Sequence, residues 1–134
     1  MIGYVMIGTN DLDRGARFYD ALLAPLGLVQ VERVETYAAY APKAAKDAIE
    51  FYVTRPFDQA PATPGNGTMI ALSAPTMQAL EQFHRLGLQN GGSDEGAPGP
   101  REEGSSICYA YIRDFDGTKI CAFYDGVKVQ AADE

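Results

Sequence analysis

One acidic side chain is notable among the residues that could do chemistry, because it interrupts an apolar segment. Glu50 lies between Ile49 and Phe51 in a run, Ala48–Thr54, that predicts a strand. A carboxylate enclosed in such surroundings is suited to act as a general base. The alternative is an edge-strand glutamate that points into water, and the residues alone leave both interpretations open.

Two tyrosines and one cysteine add further reactive groups. Tyr4 and Tyr52 each carry a phenol that could donate a hydrogen bond to a substrate carbonyl, although tyrosines in half-buried sheets more often serve packing. Cys121 could be a nucleophile if a neighbouring base or cation lowered the pKa of its thiol. Lys119, on the same predicted strand face, is one such cation. The sole histidine, His84, is predicted on the surface of a helix and does not qualify as the base.

The composition restricts the classes of function. The chain has 134 residues, 46% of them hydrophobic, which is enough for one compact domain with a core. Its net charge of −7 would repel phosphate backbones, so no nucleic-acid partner is expected. No apolar run approaches the roughly 20 residues that a membrane-spanning helix needs, so no membrane association is expected. Cys108 and Cys121 are expected to be free thiols, and we predict a cytoplasmic protein.

The elements that must position these residues form two similar units. The first begins with an extended run, Ile2–Ile7, and continues with a helix predicted to begin after Asn10 or Asp11 and to end at Gly27. The apolar stripe of this helix consists of Leu12, Ala16, Tyr19, Leu23 and Leu26. Three more strands are predicted at Leu28–Arg33, Thr36–Tyr40 and Ala48–Thr54.

The second unit repeats the first after a connection rich in proline and glycine. Its predicted elements are a strand at Thr68–Leu72, a helix with Pro75 in its first turn, a loop at Gly91–Pro100 suited to act as a lid, and a hairpin of Ile107–Ile112 and Lys119–Tyr124. An offset of 65 residues relates Tyr4 to Met69 and Leu12 to Met77, which indicates an internal repeat.

These elements predict one domain with an internal division. The domain covers 1–134, with module one at about 1–56, a linker at about 57–66, module two at about 67–125 and a polar tail at 126–134.

Three segments in this order resemble the glyoxalase/bleomycin resistance protein/extradiol dioxygenase superfamily, whose fold is called the vicinal oxygen chelate fold. They are Asn10–Arg14 with Phe18-Tyr19 and Leu26-Gly27-Leu28, then Gly65–Leu72, and finally Arg113–Ile120, where the family more often has proline in place of Phe115. The resemblance spans nearly the whole chain. It implies an α+β fold of two βαβββ modules, in which a mixed sheet curls around a cleft and the helices pack on the outer face. It also implies a homodimer with its clefts at or near the subunit contact.

The same resemblance implies where a metal would bind. The family typically holds a divalent metal through His, Glu or Gln, and the metal acts as a Lewis acid or activates oxygen. The matching positions here hold Tyr4, Met69 and Cys121, with Glu50 as a possible fourth. A phenol, a thioether, a thiol and one carboxylate do not make a usual site for zinc, nickel, manganese or iron. We therefore predict no metal ligand and no cofactor, and a divalent metal with atypical ligands is the alternative.

Strand alternation within the implied fold turns a set of side chains into the cleft. The predicted catalytic residues are Glu50 and Tyr4, and the predicted substrate-binding residues are Tyr52, Met69, Cys121, Phe123 and Arg101. Arg101 or Arg55 could clamp an anionic group in bidentate fashion, although a solvated surface arginine is the commoner case. The aromatic cleft would suit a planar or apolar ligand, and the acidic chain a cationic one.

Three functions remain open on these grounds. The first is a small-molecule binder without the usual catalytic metal, similar to the bleomycin-resistance branch of the superfamily. The second is an enzyme, either a glyoxalase-like lyase or a dioxygenase, that uses atypical metal ligands or metal-free acid–base chemistry by Glu50 and Tyr4. The third is a structural or regulatory module whose cleft is filled by its own side chains.

Overall fold

The computed structural model describes residues 1–127, which form two modules of one helix and four strands each. The first module comprises β1 (Val5–Gly8), α1 (Leu12–Leu23), a 3-10 turn (Ala24–Leu26), β2 (Leu28–Arg33), β3 (Tyr37–Pro42) and β4 (Phe51–Thr54). The second comprises β5 (Met69–Ser73), α2 (Met77–Gln89), β6 (Ser93–Pro100), β7 (Ile107–Arg113) and β8 (Lys119–Asp125). The predicted α+β fold of two βαβββ modules is confirmed. From residue 128 onwards, the predicted polar tail lies outside the described residues.

Each module forms its own four-stranded mixed sheet. The strand order is β1-β4-β3-β2 in the first sheet and β5-β8-β7-β6 in the second. In both sheets the strand before the helix pairs in parallel with the last strand of the module, and the other pairings are antiparallel. The two sheets therefore have the same topology, and they do not close on one another.

The two helices begin in the same way, 65 residues apart. The side chain of Asp11 accepts a hydrogen bond from the Arg14 backbone N–H, and the side chain of Thr76 accepts one from Ala79. Both residues are thus N-caps that satisfy a free backbone donor of the first turn. Pro75 lies before the cap, so its predicted place in the first turn is wrong. Gly27, with φ of 87°, ends the first helical segment as predicted.

One hydrophobic core holds both modules together. Each helix packs on one face of its own sheet, and the two helices also pack against each other. The core includes Phe18 and Leu22 of α1, Leu80 and Phe83 of α2, and apolar residues from both sheets. The helices leave one face of each sheet uncovered, and we call these the first and the second open face. The first open face consists of Tyr4, Met6, Tyr37, Ala39 and Tyr52. The second open face consists of Met69, Ala71, Tyr109, Tyr111, Lys119, Cys121 and Phe123.

The segment predicted as a lid is a strand. Residues Ser93–Pro100 pair antiparallel with β7, so the lid prediction at Gly91–Pro100 is wrong. The register shifts on both sides of Gly96, where a built Cβ would come within 2.8 Å of the Tyr111 ring. Glycine therefore lets the backbone approach the tyrosine closely. The glycine- and proline-rich composition, which predicted a loop, occurs here in an irregular edge strand.

The histidine predicted on a helix surface is buried. His84 is only 9% exposed, and its Nε2 lies 2.9 Å from a carboxylate oxygen of Asp94 in β6. Asp94 also accepts a hydrogen bond from the Gly96 backbone N–H at 2.9 Å. The prediction failed because His84 lies at i+4 from Leu80, on the buried stripe of α2, and a polar partner on the neighbouring strand makes that burial possible.

Hydrogen bonds and a ring contact connect the turn between β7 and β8 to the first module. Asp116 in this turn accepts a hydrogen bond from the Thr9 hydroxyl at 2.6 Å and one from the Asn10 side-chain amide at 3.0 Å. Next to it, Asp114 accepts a hydrogen bond from the Tyr19 hydroxyl. The ring of Phe115 between them lies 4.1 Å below the Arg14 guanidinium. This junction fixes the hairpin against the start of α1.

Candidate functional site

The first open face is a row of tyrosines. The ring of Tyr52 lies edge-on to Tyr4 at 5.0 Å and to Tyr37 at 5.4 Å between centroids. The Tyr37 hydroxyl donates a hydrogen bond to the Glu32 carboxylate, and this bond raises the pKa of Tyr37 above its usual value. Edge-on aromatic pairs are a favourable arrangement, so this face is an ordered aromatic surface rather than three independent side chains.

Glu50 lies beside this surface but outside the sheet. It precedes β4 and is exposed, and its backbone bonds to the carbonyl of Tyr40 and to the N–H of Val5. Within residues 1–127 no side-chain hydrogen bond or ion pair to Glu50 is present. The apolar enclosure that would make it a strong base is therefore missing from this chain on its own.

The second open face combines aromatic rings with two cations. Tyr109 stacks on Tyr111 with 6.1 Å between ring centroids, and Phe123 lies 6.3 Å from Tyr109. The Arg101 guanidinium lies 5.6 Å from the Tyr111 ring centroid and donates to the Tyr111 hydroxyl at 3.3 Å, while the Lys119 ammonium lies 5.2 Å from the same centroid. The face can thus offer flat apolar contact and positive charge at one place.

Cys121 lies at the base of this face. It pairs with Ala71 on one side and Tyr111 on the other, and it is 1% exposed. Burial raises the pKa of its thiol to about 11, and the nearby charges of Lys119 and Arg101 offset only part of that effect. The thiol is therefore protonated at neutral pH, which removes the basis for a nucleophilic role.

The predicted site residues fall into two separate groups. Tyr4, Tyr52 and the adjacent Glu50 belong to the first module. Met69, Cys121, Phe123 and Arg101 belong to the second. In the part of the chain that the structure describes, no ring contact or hydrogen bond joins one group to the other. Arg55 follows β4 in the first module and is exposed.

Two open cavities border the second face. One of about 700 Å³ lies between the linker residues 63–68 and Met69, Arg113 and Lys119. The other, of about 280 Å³, is lined by residues that include Gly96, Arg101, Tyr109, Tyr111 and Lys119. The lining of the second cavity coincides with the aromatic and cationic cluster.

The donor set does not fit the divalent metal that the resemblance implies. The four matching positions hold an exposed phenol, an exposed thioether, an exposed carboxylate and a buried protonated thiol, at Tyr4, Met69, Glu50 and Cys121. Among residues 1–127, no group of three or more His, Cys, Asp or Glu side chains lies close enough to hold a metal ion. Hard or borderline divalent ions prefer nitrogen and carboxylate ligands, so no reaction step is derived through a metal.

Sequence reasoning missed several residues of this region. Tyr109 and Tyr111 were not singled out, although the alternation of polar-tipped and apolar residues along β7 is a signal that both share one face. Tyr37 on β3 was likewise not among the predicted site residues. Asp114 and Asp116 lie in the turn of the predicted hairpin, and nothing in the local sequence indicates that their carboxylates bond to Tyr19 of α1 and to Thr9 and Asn10 before it.

The protein belongs to the class of two-module α+β folds. Each module has a mixed sheet of the same topology, with a helix on one face and the other face open. Comparison with known proteins identifies the family. The chain is 37% identical to a glyoxalase/bleomycin resistance protein from Albidiferax ferrireducens T118, over 91% of this chain and 96% of that one, with a TM-score of 0.80. The chain belongs to the glyoxalase/bleomycin resistance protein/dioxygenase family.

More distant solved structures share the fold. A glyoxalase-related enzyme from Fulvimarina pelagi is 18% identical with a TM-score of 0.71, over 95% of this chain and 89% of that one. Glyoxalase I from Zea mays is 21% identical with a TM-score of 0.70, over 96% of this chain. This chain spans only 47% of the length of the maize enzyme. No protein-family model and no curated protein matches the chain.

No helix in residues 1–127 is long and apolar enough to cross a membrane.

Proposed function

We propose that this protein binds a small organic molecule on its open sheet faces, without the catalytic metal that is usual in its superfamily. The observation that supports this proposal is the aromatic surface on each module, built from the exposed Tyr4 and the half-buried Tyr52 on one and from the half-buried Tyr109 and Phe123 on the other. On the second module, Tyr109 lines an open cavity of about 280 Å³, close to the size that is typical of small-molecule sites. A module filled by its own side chains would lack such a cavity.

The site is completed by a second copy of the chain. Tyr4 is 58% exposed, Met6 52% and Met69 43%, and large apolar side chains seldom remain uncovered in a contiguous patch. Each helix covers the opposite face of its own sheet and also contacts the other helix, so neither helix of the described chain covers the open faces. A homodimer that apposes the first open face of one copy to the second open face of the other encloses a ligand between two aromatic surfaces.

The residues have simple roles in this function. Tyr4, Tyr52 and Phe123 contact the flat part of the ligand, Met69 adapts to its outline, and Cys121 forms an apolar base beneath it. Glu50, exposed in one chain, is close enough to the first face to become enclosed when a second copy covers it. A cytoplasmic location is part of the proposal, because Cys108 and Cys121 are free thiols. The division into module one at about 1–56, a linker at about 57–66 and module two at about 67–125 is part of the same proposal.

A metal-dependent lyase or dioxygenase with atypical ligands is the alternative. It requires Tyr4, Glu50, Met69 and Cys121 to bind a metal that their chemistry disfavours. Metal analysis of the purified protein separates the two proposals. Stoichiometric zinc, nickel, manganese or iron that is lost in a Glu50→Gln variant would establish the alternative.

The binding proposal is tested by the methionine methyl groups, which sample both open faces. In protein labelled with ¹³C at these methyls, a set of small aromatic compounds should shift the NMR signals of Met6 and Met69. Met77 packs against the core and serves as the internal control. Dilution of the unliganded protein should shift Met6 and Met69 together as the dimer dissociates. If no compound moves either signal, or if Met77 moves equally, the proposed function is wrong.

A further inference from the structure

Tyr111 on the second open face makes cation–π contacts with two cationic side chains. Arg101 follows β6 and Lys119 begins β8, yet both side chains converge on this one tyrosine of β7. Both charges also act on Cys121, which is paired with Tyr111 across the sheet. Two positive charges at one place repel each other unless a negative group lies between them.

Within residues 1–127 neither Arg101 nor Lys119 forms an ion pair, although the chain has a net charge of −7. Glu95 also lines the smaller cavity, but its carboxylate is bonded to Arg113 and not to either of these two cations. Arg113 on the same face shows the contrast, because Glu95 and the Gly117 carbonyl oxygen both accept hydrogen bonds from its guanidinium. Arg113 is therefore already satisfied, while the other two cations retain free donors that face the smaller cavity.

The surroundings of these two cations indicate the shape of what binds them. Tyr109 and Tyr111 are nearly parallel, with 11° between their ring planes, and Phe123 extends the aromatic surface on the next strand. Gly96 and Gly99 on β6 lie opposite Tyr111 and Tyr109 and add no side-chain bulk at that edge. A flat ring system fits along the aromatic row, with a charged end toward the cations.

We propose that this subsite recognises an organic anion, with a planar body on Tyr109 and Phe123 and a carboxylate or similar anionic group held by Arg101 and Lys119. A guanidinium binds such a group in bidentate fashion and an ammonium adds a point charge. The inference rests on the proposed function, since it assigns the ligand class of the same face. Of the two ligand charges that the sequence left open, it favours the anion held by Arg101 over the cation that the charge of the whole chain suggested.

Three compounds with one ring system test the inference. Naphthoate, naphthamide and naphthylmethylammonium carry negative, zero and positive charge on the same planar body. We expect naphthoate to bind about tenfold more tightly than naphthamide, since its two partners are charged donors, and the ammonium compound to bind most weakly. Affinities are measured by calorimetry, and the Met69 methyl signal reports whether each compound occupies the second open face.

Charge-matched variants assign the effect to the two cations. The double variant Arg101→Gln/Lys119→Gln should abolish the preference for naphthoate and leave the affinity for naphthamide nearly unchanged. Lys43→Gln/Lys46→Gln removes the same charge from an exposed loop of the first module and should change neither. Loss of the preference in this control would mean that only the overall charge matters, which contradicts the inference.

The possible failures are distinguishable. If naphthoate and naphthamide bind equally at Met69, the anion subsite is wrong and the proposed binding function survives. If none of the three compounds binds, both proposals are wrong. If the Arg101→Gln/Lys119→Gln variant loses self-association instead of anion preference, the two cations pair with a carboxylate of a second copy, and the inference is overturned.

Discussion

The phenolic oxygen of Tyr19 in α1 lies 2.5 Å from a carboxylate oxygen of Asp114, in the hairpin of the other module. Both side chains are buried, and Asp114 also accepts backbone N–H bonds from Asp116 and Thr118. Burial and the facing carboxylate raise the pKa of Tyr19 well above its usual value, so its hydroxyl remains a donor. This bond connects the two modules through the middle of the molecule.

Removal of the Tyr19 hydroxyl should weaken the whole fold. We expect Tyr19→Phe to lower the free energy of unfolding by about 1.5–3 kcal/mol, because a buried carboxylate loses a charge-assisted hydrogen bond. Urea unfolding followed by circular dichroism gives this value. Tyr37→Phe removes a similar bond at the solvent-exposed Glu32 and should cost clearly less. Equal losses in the two variants would contradict the buried role of Tyr19.

A methyl group at Gly87 should also destabilise the protein. A Cβ built there would overlap Cδ1 of the buried Ile112, where α2 crosses β7. Alanine favours helix over glycine by about 1 kcal/mol, but overpacking of a core costs about 1–3 kcal/mol, so we expect a net loss for Gly87→Ala in thermal unfolding. The double variant with Ile112→Val, which removes Cδ1, should regain part of that loss. A Gly87→Ala protein more stable than the parent would show that the contact relaxes without cost.

The pair of His84 and Asp94 predicts a dependence of stability on pH. The His84 side chain, and then the Gly96 backbone N–H, lower the pKa of Asp94 below its usual value of 3.8. A lowered pKa means that the ionised form stabilises the fold above 3.8, and that this contribution disappears as the pH falls through the lower folded-state value. Asp94→Asn should be less stable than the parent near neutral pH, and the difference should shrink in acid.

This comparison also separates Asp94 from the other acidic groups. Burial raises the pKa of Asp114, which gives the opposite slope, but Asp114 is present in both proteins and cancels in the difference. Chemical unfolding at a series of pH values provides the two curves. A constant difference down to the most acidic point would rule out the ionic contribution of Asp94.

The thiol of Cys121 should resist alkylation. In a Cys108→Ala variant, iodoacetamide at neutral pH should react with the folded protein far more slowly than with the same protein in urea, because the thiol is buried and its pKa is about 11. Mass spectrometry follows the reaction. The Cys121→Ala variant, which keeps the half-buried Cys108, is the matched control and should react faster. Rapid labelling of folded Cys121 would restore the nucleophile hypothesis.

The local features of the fold were predictable from the sequence, because local rules determine them. The cap at Asp11, one of the two residues predicted for it, follows from capping rules, and the bounds of β2 follow from strand alternation. Gly27 ends the helical segment through its left-handed backbone, although the α-helix itself gives way to a 3-10 turn after Leu23. The repeat was detectable because Leu12 and Met77 each begin a helix that carries apolar residues at similar spacing along one face. The fold class was accessible for the same reason.

The features that depend on distant partners were not predictable. Ser93–Pro100 forms a strand only because β7 accepts it as an edge, and glycine and proline composition alone indicates a loop. His84 is buried only because Asp94 faces it from the neighbouring strand. The cations at Tyr111 come from two different elements, so their convergence required the register of β6, β7 and β8.

The bonds of Asp116 at the module junction also bear on the order of events in folding. Thr9 and Asp116 are 107 positions apart, so their contact closes a loop that contains most of the chain. Closing it has an entropic cost that earlier contacts within each module must offset. We therefore expect this contact to form after the rate-limiting barrier, so that it slows unfolding more than it speeds folding. The junction would then govern the lifetime of the native state, while the modules themselves govern how fast it is reached.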